Sequence, residues 1–145
     1  IDCVGEGDEK KRVVQEVNKN QLNEYFVFSG LVENMADKYK NSDIYLHVAT
    51  YEPFGIVFLE AMASKTPIVS LNGKGNMTLL KDRYNSLVVD FQNSNEFADF
   101  ILLIMDSQQV HEIITDNGQK TAINYDVKNI GKKLFDVYRS LLINN

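Results

Sequence analysis

Cysteine occurs once, at Cys3, so no disulfide can close within the chain, and a reducing compartment suits it. Tryptophan is missing and proline is held to two positions, Pro53 and Pro67, with no low-complexity tract or linker between apolar segments. No apolar run reaches the roughly 18 residues of a membrane span, and no signal peptide is visible. Basic residues are outnumbered 15 to 20, and a net charge of −5 argues against nucleic acid, whose phosphates demand a basic footprint. Histidine appears twice, at His47 and His111, far from any paired ligands; both read as structural, and no metal site is expected. What is present is ordinary for a globular chain: 145 residues, 44% hydrophobic and 24% charged. That suffices for one domain, residues 1–145, around one core. The opening Ile1-Asp2-Cys3-Val4 resembles the inside of a strand, so the chain reads as a fragment of a longer protein.

Short apolar runs alternate with longer amphipathic ones. Strands are expected at Ile1–Val4, Tyr25–Ser29, Ile44–Ala49, Pro67–Leu71 and Leu87–Asp90, rich in Val, Ile, Tyr and Phe and only weakly alternating. Strands covered on both faces of a parallel sheet read this way. Helices are expected near Glu9–Lys19, Asn34–Asn41, Phe54–Ser64 and Met77–Lys81. Three more follow the last strand, near Asn95–Ser107, Gln109–Asn124 and Asp126–Ile143. Alternating strand and helix implies an α/β fold with a doubly wound parallel sheet and extra C-terminal helices. In such sheets ligands bind beyond the carboxyl ends of the strands. Two loops qualify there, Gly5-Glu6-Gly7-Asp8 and Thr50 to Gly55, and they are expected on one rim. The Gly5/Gly7 pair has no third glycine at dinucleotide spacing, so that motif stays incomplete.

From Pro53 to Ser64 the only charged residue is Glu60. Apolar residues surround the helical wheel of this segment, which points to a buried helix with Pro53 in its first turn. A carboxylate on such a helix needs a hydrogen-bonding partner. Glu52 stands eight positions earlier, just ahead of the helix. The amides of Phe54, Gly55 and Ile56 would open the helix without intrahelical acceptors, and Gly55 leaves room for a phosphate against them. Two carboxylates that accept from hydroxyls, flanking an anion site, describe a sugar–diphosphate–nucleoside. The plainer alternative is that Glu52 caps the helix and Glu60 bonds a neighbouring backbone group.

Tyr51-Glu52-Pro53-Phe54-Gly55-Ile56-Val57-Phe58-Leu59-Glu60-Ala61-Met62-Ala63-Ser64, with Pro67-Ile68-Val69-Ser70 behind it, resembles the signature of family 4 (group 1) retaining glycosyltransferases of GT-B architecture. The E-x7-E spacing, the E-P-F-G core and the E-A-M-A helix all match. Val4-Gly5-Glu6-Gly7-Asp8 is similar to that family's V-G-x-G segment, Val27-Phe28-Ser29-Gly30 to its F-x-G turn, and Ser42-Asp43-Ile44-Tyr45-Leu46 to its A-D-v-f-v strand. Gly75 to Asp90 follows the stretch that usually reads G-G-N-P-E-L-I-x-D-G-x-N-G-x-L-V. The chain departs at Val48-Ala49, where Pro-Ser is usual, and at Thr78, where glutamate is frequent. Lys65, Arg83 and Ser86 stand where glycines are usual.

The resemblance implies a Rossmann-like donor domain, the C-terminal half of a GT-B enzyme, that holds a nucleotide diphosphate sugar for transfer with retention of configuration. It implies that Glu60 bonds the ribose and that Glu52, the catalytic candidate, contacts the transferred sugar. The amides of Phe54, Gly55 and Ile56 would hold sugar hydroxyls and phosphate, with Gly5 and Gly7 lining the site. The turn Gly30-Leu31-Val32 would lie near the base. It implies no cofactor and no metal, only the donor as substrate. An N-terminal acceptor domain, the first strand of this domain, and the Arg and Lys that neutralise the diphosphate would lie outside this chain. The isolated fragment is accordingly expected to be inactive. A cytoplasmic location follows from the resemblance. A basic face on the last helix (Lys128, Lys132, Lys133, Arg139), opposite Val127, Ile130, Leu134, Val137 and Leu141, allows peripheral contact with the inner face of a membrane. Packing of that helix against its own protein is the plainer reading. The rival functions are a noncatalytic nucleotide-sugar-binding module and a transferase of the sucrose- or glycogen-synthase kind.

Overall fold

Ile68-Val69-Ser70-Leu71 and Leu87-Val88-Val89 become strands whose every residue is buried, as runs rich in Val, Ile and Leu favour. The computed structural model describes residues 1–143. Its elements in chain order are β1 (Asp2–Val4), α1 (Lys10–Lys19), β2 (Val27–Gly30), α2 (Met35–Lys40), β3 (Tyr45–His47) and α3 (Ile56–Ala63). These are followed by β4 (Ile68–Leu71), β5 (Leu87–Val89), α4 (Ser94–Asp106), α5 (Gln108–Asn124) and α6 (Val127–Ile143). Short 3-10 turns lie at Asn23–Tyr25 and Gly75–Thr78. The fold is α/β with parallel strands, as the alternation of patterns implies. Hydrogen bonding divides the strands into a two-stranded sheet, β1-β2, and a three-stranded sheet, β3-β4-β5.

Two compact units are present, Ile1–Met35 and the residues from Ala36 onward. In the first, Asp2 pairs with Val27 and Cys3 with Phe28, and the Ser29 hydroxyl donates to Asp2 at 2.6 Å. Val17 is the only residue of this unit that is buried, so the expectation of strands covered on both faces fails for β1 and β2. Three- and four-residue strands with α1 beside them offer little apolar surface to cover them.

In the second unit Tyr45 pairs with Ile68 and Val69 with Leu87. Val69, Leu71, Leu87 and Val89 pack with Phe100, Ile104 and Ile114 of α4 and α5 into the main core. Asn93 and Ser107 start these two helices by accepting from amides of their first turns. α3 buries Phe58, Ala61 and Met62, and α5 approaches it at Gly118, where a Cβ would stand 3.2 Å from Met62 Cγ.

Three expectations are corrected. α3 begins at Ile56 behind an N-cap at Gly55, so Pro53 and Phe54 precede the helix. α3 is not buried all round: Ile56 is 65% exposed, and Glu60 and Ala63, one and two turns on, are exposed too. The uniform apolar wheel hid this, because composition cannot say which side a neighbour covers. The helix expected at Met77–Lys81 is instead the turn Gly75–Thr78, since Asn76 points inward, where it donates to the Leu71 carbonyl at 3.0 Å. The last helix α6 has no buried residue among those described, and it contacts α5.

Lys65 and Arg83, two residues at usual glycine positions, both take left-handed backbone, φ 59° and 55°. Lys65 follows the C-cap of α3, the position where glycine costs least. Its ion pair with Asp116, at 3.2 Å between half-exposed side chains, returns little. Lys65→Gly is therefore expected to raise stability by about 1 kcal/mol, read as a higher urea midpoint at unchanged slope.

Candidate functional site

The loop from β3 into α3 is shaped by glycines. Gly55 is buried with φ 88°, and a Cβ there would overlap the Phe58 ring and lie 3.2 Å from Glu52 Cγ. The loop after β4 closes on it from behind: the Glu52 amide donates to the Gly73 carbonyl at 3.1 Å. A Cβ on Gly75 would meet the Pro53 carbonyl and stand 2.6 Å from the Glu52 carbonyl. Buried Asn76 fixes this loop by accepting from the Gly73 amide at 3.0 Å. The Gly73-Lys74-Gly75 sequence thus permits backbone to pack directly against the Glu52–Pro53 peptide.

Glu52 is largely sheltered, its side chain 22% exposed. One carboxylate oxygen accepts from the Phe54 amide at 3.4 Å; the other lies 3.7 Å from His47 Nε2. The Phe54 amide thus faces Glu52 here, as in the plainer capping reading, while Gly55 and Ile56 stand at the helix mouth. Glu60 is exposed and accepts from the Tyr39 hydroxyl at 3.4 Å. An exposed carboxylate does not need the partner that a buried helix would have demanded.

Aromatic rings link the two acids. Tyr39 meets Tyr45 edge-on with centroids 5.3 Å apart, Tyr45 lies 6.2 Å from Phe58, and His47 stands 4.7 Å from Phe58. Burial, then the charges of Glu52 and Glu60, push the Tyr45 hydroxyl up to about 12. Burial also raises Tyr39, with smaller contributions from Tyr45 and Glu60. Burial lowers His47, against the opposing pull of Glu52. These phenols stay protonated at neutral pH and act as hydrogen-bond donors.

Phe54 packs its ring against Tyr125 at 5.9 Å, and Ile56 leaves its side chain open. In the first unit the Gly5 amide donates to the Gly30 carbonyl at 2.7 Å, with φ 115° and 66° at these glycines. Gly7 accepts from the Lys10 amide at the start of α1, Leu31 is 82% exposed and Val32 is half-buried. The structure therefore gathers Gly5, Gly7, Gly30, Leu31 and Val32 in one unit. Glu52, Phe54, Gly55, Ile56 and Glu60 are gathered in the other.

Sequence reasoning took His47 as structural and gave no site role to Tyr39, Tyr45, Gly73 or Asn76. A signal existed for two of them: Tyr45 and His47, at period two on β3, share a face with a polar atom each. A cavity of about 340 Å³, lined by Thr50, Asn72, Asp90 and Phe91 among others, lies past the ends of β4 and β5. A second, about 460 Å³, is lined by Lys81, Lys120, Lys133, Tyr84 and Tyr125 among others. Among the described residues no three of His, Cys, Asp or Glu converge as a metal-holding group. None of the described helices is long and apolar enough to cross a membrane.

The fold is that of the C-terminal domains of GT-B glycosyltransferases. Residues 2–121 match the family Glycosyl transferases group 1, and the chain belongs to it. It is 34% identical over 116 residues to an uncharacterized glycosyltransferase of Methanocaldococcus jannaschii, with 78% of this chain and 30% of that protein covered. The crystal structure of Anabaena HepE with UDP is similar at a TM-score of 0.87 and 26% identity, covering 96% of this chain and 40% of HepE. A HepE complex with UDP-glucose gives 0.86 at the same identity and coverage. Sucrose-phosphate synthase from Thermosynechococcus elongatus gives 0.80 at 26% identity, over 96% of this chain and 36% of that one. The chain thus spans well under half the length of these three relatives.

Proposed function

We propose that this chain is the donor-holding half of a glycosyltransferase that moves a sugar from a nucleotide diphosphate sugar to an acceptor with retention of configuration. The observation behind it is the mouth of α3: the sheltered carboxylate of Glu52 before the helix, the exposed carboxylate of Glu60 within it, and Gly55 holding the backbone open between them. Glu60 accepts from ribose hydroxyls, and the amides of Gly55 and Ile56 meet phosphate at the positive end of the helix. Glu52 contacts the transferred sugar, where its fixed charge favours the positive charge that builds as the diphosphate leaves. The phenol of Tyr39 steadies Glu60. Transfer on this scheme calls for no metal; the acceptor site belongs to a second domain.

The HepE complexes with UDP and UDP-glucose favour a uridine donor. Glu60→Ala in the full-length protein is expected to weaken UDP binding by about 1–3 kcal/mol, the scale of a lost hydrogen bond to a charged group. Calorimetry with UDP checks this, and unchanged affinity would remove Glu60 from the site. Release of UDP from UDP-glucose in the presence of acceptor separates a transferase from a binding module. The likeness to sucrose-phosphate synthase favours, as a second reading, a transferase of the sucrose-synthase kind. Adding fructose 6-phosphate to the same assay tests it.

A further inference from the structure

His47 has one ring nitrogen engaged and one without a partner. Nδ1 lies 2.9 Å from the Tyr45 hydroxyl, while Nε2 is buried with no hydrogen bond. A buried nitrogen in that state is uncommon in native structures and calls for an explanation. The ring cannot easily turn away, since Phe58 packs against it edge-on at 4.7 Å. If the Tyr45 hydroxyl donates to Nδ1, the neutral ring carries its proton on Nε2, which faces the Glu52 carboxylate at 3.7 Å. In the other tautomer a lone pair would face that carboxylate, an unfavourable arrangement.

We propose that His47 is a positioning residue for Glu52: anchored by Tyr45, its Nε2–H aims at the Glu52 carboxylate and holds it at the α3 mouth for a sugar hydroxyl. The proposal rests on the donor-site reading above. Glu52 lies between two long contacts, 3.4 Å to the Phe54 amide and 3.7 Å to His47. Such contacts shorten when ligand fills a site. A carboxylate held by two donors on one side turns its remaining lone pairs toward the ligand. Tyr45, which feels both acids, passes no proton; it fixes the tautomer.

Two measurements on the protein test this. The first needs no ligand: nitrogen-15 NMR of the His47 ring is expected to show the neutral Nε2–H tautomer at pH 7. Glu52→Gln is expected to lower the His47 pKa, because Glu52 favours its charged form. The Nδ1–H tautomer, or a titration indifferent to Glu52→Gln, overturns the coupling. The second compares binding of UDP-glucose with that of UDP. His47→Phe is expected to weaken UDP-glucose about tenfold, the scale of one hydrogen bond, with UDP unchanged. His47→Gln, which keeps an N–H donor, is expected to recover most of that loss. In a Glu52→Gln background His47→Phe is expected to have no further effect. Equal losses for both ligands, no recovery with glutamine, or persistence in that background would overturn the positioning role. Wild-type protein that binds neither ligand would overturn the donor-site reading instead, and the NMR result would still decide whether His47 and Glu52 are coupled.

Discussion

Glu52→Gln should lower the turnover of UDP-glucose by about 10²- to 10³-fold, the range seen when one preorganised electrostatic group is removed from an active site. The substitution keeps shape and hydrogen-bonding length while it removes the charge. Glu52 suits that role because it is sheltered yet not sealed, at 22% exposure, and among the described residues only His47, whose charging burial disfavours, comes within ion-pair reach. A charge in such a place acts through a lower effective dielectric than one in open water. UDP affinity should change little, since Glu52 is assigned to the sugar and Glu60 to the nucleoside. Steady-state kinetics with saturating UDP-glucose, beside calorimetry with UDP, measures both. Turnover within a factor of two of wild type would remove Glu52 from the chemistry.

Gly75→Ala should destabilise the fold by about 1–3 kcal/mol, the usual cost of forcing one extra group into a close-packed place. The new Cβ would be driven against the carbonyls of Glu52 and Pro53, and backbone cannot yield as a flexible side chain does. Relief requires the Glu52 loop to move, so UDP-glucose binding should fall more than the loss of stability explains. Urea unfolding and ligand titration on the same variant separate the two effects. Wild-type stability with wild-type binding would show that the two loops do not press on one another.

Most of the architecture was legible because alternation of short β-branched runs with amphipathic stretches carries topology directly. β4 and β5 are the clearest cases, and the caps Asn93 and Ser107 sit where their side-chain chemistry requires. The start of α3 was misplaced by two residues because Pro53 is a common first-turn residue, while the left-handed backbone of Gly55 made the later start possible. The exposure of Glu60 was illegible, since an all-apolar wheel says nothing about which neighbour is present. The two acids were legible from spacing and from resemblance to a known signature. Their support was not: Gly73 and Gly75 act through backbone from another loop, held by the side chain of Asn76, and no local pattern announces a partner so far along the chain. His47 looked structural because one histidine in a strand carries no motif; its meaning lies in the unpaired nitrogen that only the packed structure shows.

Amide-resolved NMR titration of the protein with UDP and with UDP-glucose tests the central claim most directly. Both ligands should shift Gly55, Ile56 and Glu60, while only UDP-glucose should shift Glu52 and His47. Shifts gathered instead at the lysine-lined cavity of Lys81, Lys120 and Lys133, with the α3 mouth silent, would contradict the account.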